Sequence, residues 1–245
     1  LPPDAPSNGN GCFDAGEPLL SGWEFTLNGD CDLQVSVSER QASTDGEGVF
    51  RFDRLYPSHV GEGYTICEVK PEGWILTTPQ ELCRGVHLDE GQSVEVGLAF
   101  GNLRIVQLGA RTMGYWKTHP DAVTEDMYQA LALLPAFQGV DTERELTAIF
   151  RHANARKMDN MLRAQLLALT LNVLADIVPP DTWTYVGNIP GASDLFGGNI
   201  VTIQEVLDVI EDAYPWTDWS RDQQEAAKDV CDNANNNDNL VSPAP

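Results

Sequence analysis

Trp23-Glu24-Phe25-Thr26-Leu27 and Tyr64-Thr65-Ile66-Cys67-Glu68-Val69 decide the reading of the first half of the chain. Both runs alternate apolar and polar residues with a period of two. That alternation sends every second side chain to one face of a strand and predicts a half-buried sheet. On either side, Val49-Phe50-Arg51-Phe52 repeats the pattern after the turn Asp45-Gly46-Glu47-Gly48, and Pro71-Glu72-Gly73 closes the Tyr64 run. Gly85-Val86-His87-Leu88, the turn Asp89-Glu90-Gly91-Gln92 and Val94-Glu95-Val96 predict a hairpin. Short strands separated by Gly turns at this density point to a β-sandwich.

Beyond residue 102 the period changes. Thr142-Glu143-Arg144-Glu145 has the spacing of a capping box, followed by Leu146, Ile149, Phe150 and Ala153 at i, i+3, i+4 and i+7. Met158, Met161, Leu162, Gln165, Leu166 and Leu169 predict a long helix ended by Pro179-Pro180. Thr202-Ile203-Gln204-Glu205 and Ser220-Arg221-Asp222-Gln223 open two more helices, residues 121–137 add another, and residues 182–199 read as a long Gly-rich loop with aromatics. The chain therefore reads as a multidomain α+β protein. A β-sandwich occupies 1–102, a linker or strand 103–120, a small all-α domain 121–238 and a tail 239–245.

Lys+Arg number 15 against 37 Asp+Glu, a formal net charge of −22. Residues 1–102 carry 5 cations and 17 acids, and the remainder 10 and 20, so the acidity belongs to the whole surface. Such a surface repels phosphate backbones and argues against nucleic acid as a partner. It attracts cations, of which Ca²⁺ prefers carboxylate and carbonyl oxygens. No apolar run reaches the roughly 20 residues of a membrane span. The first residues, Leu1-Pro2-Pro3-Asp4, fit either a processed terminus or a cut boundary. Four of the five cysteines (Cys12, Cys31, Cys67, Cys83; Cys231 is the fifth) fall in the β-rich half and none forms a C-x-x-C pair, a pattern that favours an oxidising, extracellular setting.

Asn8-Gly9-Asn10-Gly11-Cys12-Phe13-Asp14-Ala15-Gly16-Glu17-Pro18 places oxygen side chains at every second residue and a carboxylate three further on. This spacing lets a tight loop direct Asn8, Asn10, Asp14 and Glu17, with the main-chain carbonyl of Cys12, at one calcium ion. The alternative is a polar turn without metal. With Gly22-Trp23, Thr44-Asp45, residues 48–55, the run 64–69, Pro71-Glu72-Gly73-Trp74 and Phe100-Gly101-Asn102, the loop resembles the B-type, prealbumin-like repeats of bacterial surface adhesins. The resemblance covers residues 8–102. It implies a Ca²⁺-stabilised β-sandwich on a secreted or cell-surface protein, used as a stalk, spacer or polymer unit.

Two departures from that family carry consequences. An acid is expected where Pro6 stands, so Asp4, Asp45 or an oxygen from a neighbour's Asp232, Asn235, Asn237 or Asp238 is a further ligand candidate. The family's strand ahead of the loop is also replaced by Leu1-Pro2-Pro3-Asp4-Ala5-Pro6-Ser7, whose prolines lack ladder donors. A sandwich short of one edge strand leaves unpaired N–H and C=O groups that another chain can fill by strand addition. Because donor and acceptor surfaces differ, such contacts build an open polymer. Two runs are candidate donors: Leu103-Arg104-Ile105-Val106-Gln107-Leu108, and the tail with Leu240 and Val241. A shortened chain and a domain that tolerates the loss are the alternatives.

Cys67 and Cys83 lie in segments expected to be neighbours and are paired; Cys12 with Cys31 is the second pairing, which leaves Cys231 over. Some members of the resembled family form internal Lys–Asn bonds. Their Lys belongs to the strand missing here, and Lys70 is the only Lys before Lys117, so no such bond is expected within one chain.

Arg111-Thr112-Met113-Gly114-Tyr115-Trp116-Lys117-Thr118-His119-Pro120 resembles a module of secreted bacterial and archaeal proteins, with the likeness continuing through 166–172 and 232–238. Tyr115 and Trp116 read as core anchors, and His119 and His152 lack the partners of a metal site. Neither a nucleophile elbow, a zinc-protease helix motif, a P-loop nor a dinucleotide turn is present, so no enzyme is expected. The resulting expectation is an extracellular structural protein, a subunit of a calcium-stabilised filament or surface assembly built from copies of itself. A monomeric adhesin or spacer binding a host or matrix ligand through Trp183, Tyr185 and Phe196 is the alternative, and a secreted hydrolase the remotest.

Overall fold

The computed structural model describes residues 19–29, 40–58, 63–77, 82–90 and 100–242. The chain is α+β and divides into two compact units at residue 103.

The first unit contains β1 (Glu24–Asn28), β2 (Arg40–Ser43), β3 (Tyr64–Glu68), β4 (Trp74–Leu76), β5 (Cys83–Val86) and β6 (Asn102–Arg104). Four of them form an antiparallel sheet in the order β2-β1-β3-β5, and β4 pairs with β6 in a second, two-stranded sheet. Leu27 stands opposite Ile66, and Ile66 opposite Arg84. Period-two alternation accounts for the burial. Phe25 and Leu27 of β1 and Tyr64 and Ile66 of β3 point into one core with Trp23. Each such fully buried apolar side chain stabilises the fold by about 1.5–3 kcal/mol.

The run 49–52 is no strand. Asp45 Oδ1 accepts the N–H groups of Glu47 and Val49, and Asp45 N–H donates to Val49 O, which folds this stretch into a tight turn. Its aromatics still reach the core: Phe50 stacks on Phe25 at 4.0 Å. The second half of the expected hairpin, Val94-Glu95-Val96, lies outside the described residues.

Cys67 and Cys83 face each other across β3 and β5 and form a disulfide. They close a loop with a sequence separation of 16, for which chain entropy gives about 3 kcal/mol of stabilisation. Reduction is expected to lower the unfolding free energy of the first unit by that amount, read as a shift of its urea midpoint with and without dithiothreitol.

The second unit contains α1 (Met113–Thr118), α2 (Glu125–Leu131), α3 (Glu143–His152), α4 (Met158–Leu174), β7 (Trp183–Tyr185), α5 (Ala192–Phe196), β8 (Ile200–Thr202), α6 (Ile203–Asp212), α7 (Arg221–Asn235) and β9 (Leu240–Val241). α4 is its axle: Leu162, Leu166, Leu167, Leu169 and Leu171 are all fully buried, as in a helix surrounded on every side. α7 lies against it through the small residues Ala226, Ala227 and Ala234. The boxes at Thr202/Glu205 and Ser220/Gln223 close reciprocally. Thr142 caps α3, while Glu145 reaches back to Asp141 N–H instead of Thr142 N–H.

Three expectations are corrected here. The unit is not all-α, because β8-β7-β9 form an antiparallel sheet. α4 ends well before Pro179: Asp176 takes a left-handed φ of 54°, and the N–H groups of Ile177 and Val178 fold back onto Asn172 O. The stretch 182–199 carries β7 and α5, and Tyr185 and Phe196 are core residues. Among the described residues no helix is long and apolar enough to cross a membrane.

Candidate functional site

β3 sends Tyr64, Ile66 and Glu68 to the same buried face. A carboxylate therefore occupies the third place of an apolar stripe, only 4% exposed. Its Oε1 accepts from the indole Nε1–H of Trp23 and from the side-chain amide of Asn102, the first residue of β6. Trp74 meets the Trp23 ring edge-on at 4.8 Å and walls the group off. Oε2 of Glu68 and Oδ1 of Asn102, both buried, have no hydrogen-bond partner among the described residues. Burial pushes the Glu68 carboxyl above the usual glutamate range, opposed by the Asn102 and Trp23 hydrogen bonds and by the field of Lys70. Lys70 does not reach the carboxylate, because its Nζ donates to Trp74 O at 2.8 Å.

Glu68 Oε2 and Asn102 Oδ1, two buried acceptor atoms without a donor among the described residues, can receive an N–H or ammonium group. Leaving such acceptors unpaired costs about 1–3 kcal/mol each. The strand reading of residues 64–69 contains the signal for this site, since period two places Glu68 with Tyr64 and Ile66. The partnership with Asn102 follows only from the packing of the second sheet.

Asp4, Asn8, Asn10, Cys12, Asp14 and Glu17, and with them the main calcium loop, lie outside the described residues, as does Cys31. Asp45 is exposed and holds its own turn together. Asp232, Asn235, Asn237 and Asp238 form no ligand set: the first three are engaged inside the second unit, and Asp238 is exposed. Asp232 accepts from Gln165 Nε2 and Asn236 Nδ2. Buried Asn235 accepts from Asn172 Nδ2 and donates to Gln165. Asn237, at φ 61°, accepts the N–H groups of Leu108 and Ala110 and donates to Ala110 O. Among the described residues no group of three His, Cys, Asp or Glu could hold a metal ion.

The two candidate donor runs pair with each other. Ile105 bridges Val241, Val106 N–H donates to Leu240 O, and Ser242 N–H to Arg104 O. On its other side β9 pairs with β7, so Leu240 and Val241 are buried and both edges of the tail are occupied within its own unit. Leu103 is also buried in the first unit's second sheet, while Leu108 is partly exposed. Within this chain each run thus supplies part of the other's pairing.

Trp116 is 2% exposed and lies in the core, and His119 stacks on Tyr115 at 4.4 Å. Cys231 is buried and unpaired, its thiol pushed up by burial. An open cleft of about 210 Å³ is lined by Val140, Glu145, His152, Asn160 and Arg163 among others. Glu145 is engaged by the start of its own helix, and Arg163 Nε donates to Ala136 O. Glu211 accepts the N–H of the same Ala136 and is raised by burial. Compared with protein-family models, with curated proteins and with solved structures, the chain has no match.

Proposed function

We propose that this chain is an extracellular structural subunit whose first unit is a prealbumin-like β-sandwich, stabilised by calcium at residues 8–17 and completed by an added strand from another copy, so that copies build a filament. One observation carries the reading: among the described residues, the buried atoms Glu68 Oε2 and Asn102 Oδ1 receive no donor. Among the described residues β6 pairs with β4, and its last residue, Arg104, accepts Ser242 N–H from the tail, so an added strand would lie beside Asn102 and Leu103. A strand laid along β6 brings N–H groups next to Asn102 and supplies what the pair lacks. The disulfide fits an oxidising compartment. The acidic surface fits calcium as a fastener, because copies carrying a net charge of −22 repel one another until cations neutralise them.

The test is negative-stain electron microscopy of the protein with Ca²⁺ and after EDTA. Regular filaments that fray in EDTA are expected. Filaments indifferent to EDTA would keep the polymer and remove calcium from the joint. Single particles under every condition would overturn the polymer and leave a spacer or adhesin module. Boiling in SDS with a reductant adds a readout: chains that stay linked once every disulfide is reduced would carry a Lys–Asn amide, formed with loss of ammonia, of the kind known in the resembled family.

A further inference from the structure

The second unit is electrically lopsided. Residues 104–163 hold 8 Lys/Arg against 7 Asp/Glu, whereas residues 164–242 hold 2 against 13. The cations concentrate at the turn between α3 and α4. Arg151, Arg156 and Lys157 are exposed there, and no carboxylate occurs between residues 146 and 158. The turn is fixed in shape. Asn154 Oδ1 accepts Arg156 N–H at 2.9 Å, and Asn154 O accepts Lys157 N–H at 2.9 Å. Arg221, from the start of α7, donates to Ala155 O at 2.9 Å and adds a fourth cation. Among the described residues the only ion pairs are His87–Asp89 and Lys228–Asp229. None of these four cations is therefore paired with a carboxylate among the described residues. Helix dipoles account for Arg151 at the end of α3, but not for Arg156, Lys157 and Arg221, which stand at the positive ends of α4 and α7.

The same unit displays the complementary surface. Glu205, Asp208 and Asp212 are exposed on α6 at spacings of three and four, which places them in one stripe. We propose that the basic turn of one copy docks on the acidic α6 stripe of the next, a head-to-tail contact between second units. It rests on the filament reading and adds a second contact to it. Two cations on the turn, joined by Arg151 of α3 and Arg221 of α7, match the carboxylate stripe, and the contact brings opposite charges together where two acidic molecules otherwise repel. Donor and acceptor surfaces differ, so the contact repeats without closing.

Charge exchange tests the contact, with net-charge changes of −4 and +4 in the two variants that cancel in an equal mixture. The first variant carries Arg156→Glu and Lys157→Glu, and the second Asp208→Lys and Asp212→Lys. Association is followed by sedimentation velocity at low ionic strength with Ca²⁺, with circular dichroism to verify that both variants fold. Each variant alone is expected to associate at least about tenfold more weakly than the parent. An equal mixture is expected to recover association, because each turn then meets a stripe of opposite charge. Variants that each polymerise like the parent would overturn this contact and leave the filament standing. A parent that stays single under every condition would overturn both. Binding of polyglutamate lost in the first variant, with no recovery in the mixture, would reassign the turn to an anionic polymer and overturn the contact between copies.

Discussion

Asn172→Ala is expected to cost the second unit about 4 kcal/mol, one of the largest losses any single polar substitution can cause here. Asn172 sits on the central helix α4, fully buried. Its Oδ1 accepts Arg111 N–H at 2.8 Å, and its Nδ2 donates to Arg111 O at 2.8 Å and to Asn235 Oδ1 at 2.9 Å. It thus clamps both backbone groups of the segment entering α1 and ties α4 to the end of α7. Truncation strands an N–H, a C=O and the Asn235 carbonyl oxygen in a site too buried for water to compensate fully. Each orphan costs about 1–3 kcal/mol, and partial relaxation brings their sum down to the stated figure. Asn172→Asp is the informative companion. It keeps the acceptor for Arg111 N–H but turns the donor into a charge facing two oxygens, so it should be no better than alanine at neutral pH and improve on acidification. Urea unfolding of both variants, followed by far-ultraviolet circular dichroism, checks this. A loss below 1 kcal/mol for Asn172→Ala would mean that the segment 108–112 is held by other contacts.

The same network occupies the run 232–238, whose composition suggests one further calcium ligand for a neighbour's loop. Oxygen-bearing side chains at close spacing suit a cation, and residues 232–238 have that composition. Composition does not say which way the side chains face. α7 turns Asn235 inward onto Gln165, and the left-handed Asn237 turns its amide onto residues 108–110. Both partners are more than 60 residues distant in sequence, beyond the reach of local pattern reading. The helices were legible because their signals are local: capping spacing and a 3.6 period fixed α3, α6 and α7. The small β8-β7-β9 sheet was not. Its strands span two or three residues, too few for a period to show, and it forms only because residues 240–241 return from the far end of the unit.

In the first unit, alternation made β1 and β3 legible and, with them, the pairing of Cys67 and Cys83. The turn at Asp45 defeated the same rule at 49–52, where a side-chain acceptor outcompeted the ladder for a backbone N–H. Glu68 lies between these cases. Its inward direction was implicit in the period, but a carboxylate on a core face reads as an error of pattern until Trp23 and Asn102 are seen around it.

That carboxylate makes assembly and folding respond to pH with opposite signs. In the free subunit, burial raises the Glu68 pKa above its ordinary value, so the folded state holds its proton to a higher pH than the unfolded chain. Stability from this group therefore falls as pH rises from the ordinary glutamate range through the raised value, and is regained on acidification. Glu211 and Asp232, raised chiefly by burial as well, give the second unit the same slope. An added strand reverses the preference at Glu68, because N–H donors stabilise the charged form. Assembly should then weaken as pH falls through the raised pKa. Glu68→Gln supplies its own amide hydrogens to the site and no longer needs the incoming donor. It should raise the urea midpoint of the free subunit at pH 7 and flatten the pH dependence of the first unit. It should also raise the critical concentration for filaments roughly ten- to hundredfold, the equivalent of losing hydrogen bonds to a charged acceptor worth about 1.5–3 kcal/mol. Pelleting assays over a pH series that starts at the ordinary glutamate value of 4.5 and rises from there read both effects. A variant that is stabilised yet assembles like the parent would detach Glu68 from the joint, and one that is destabilised would mean that the charged form already has its partner within the chain.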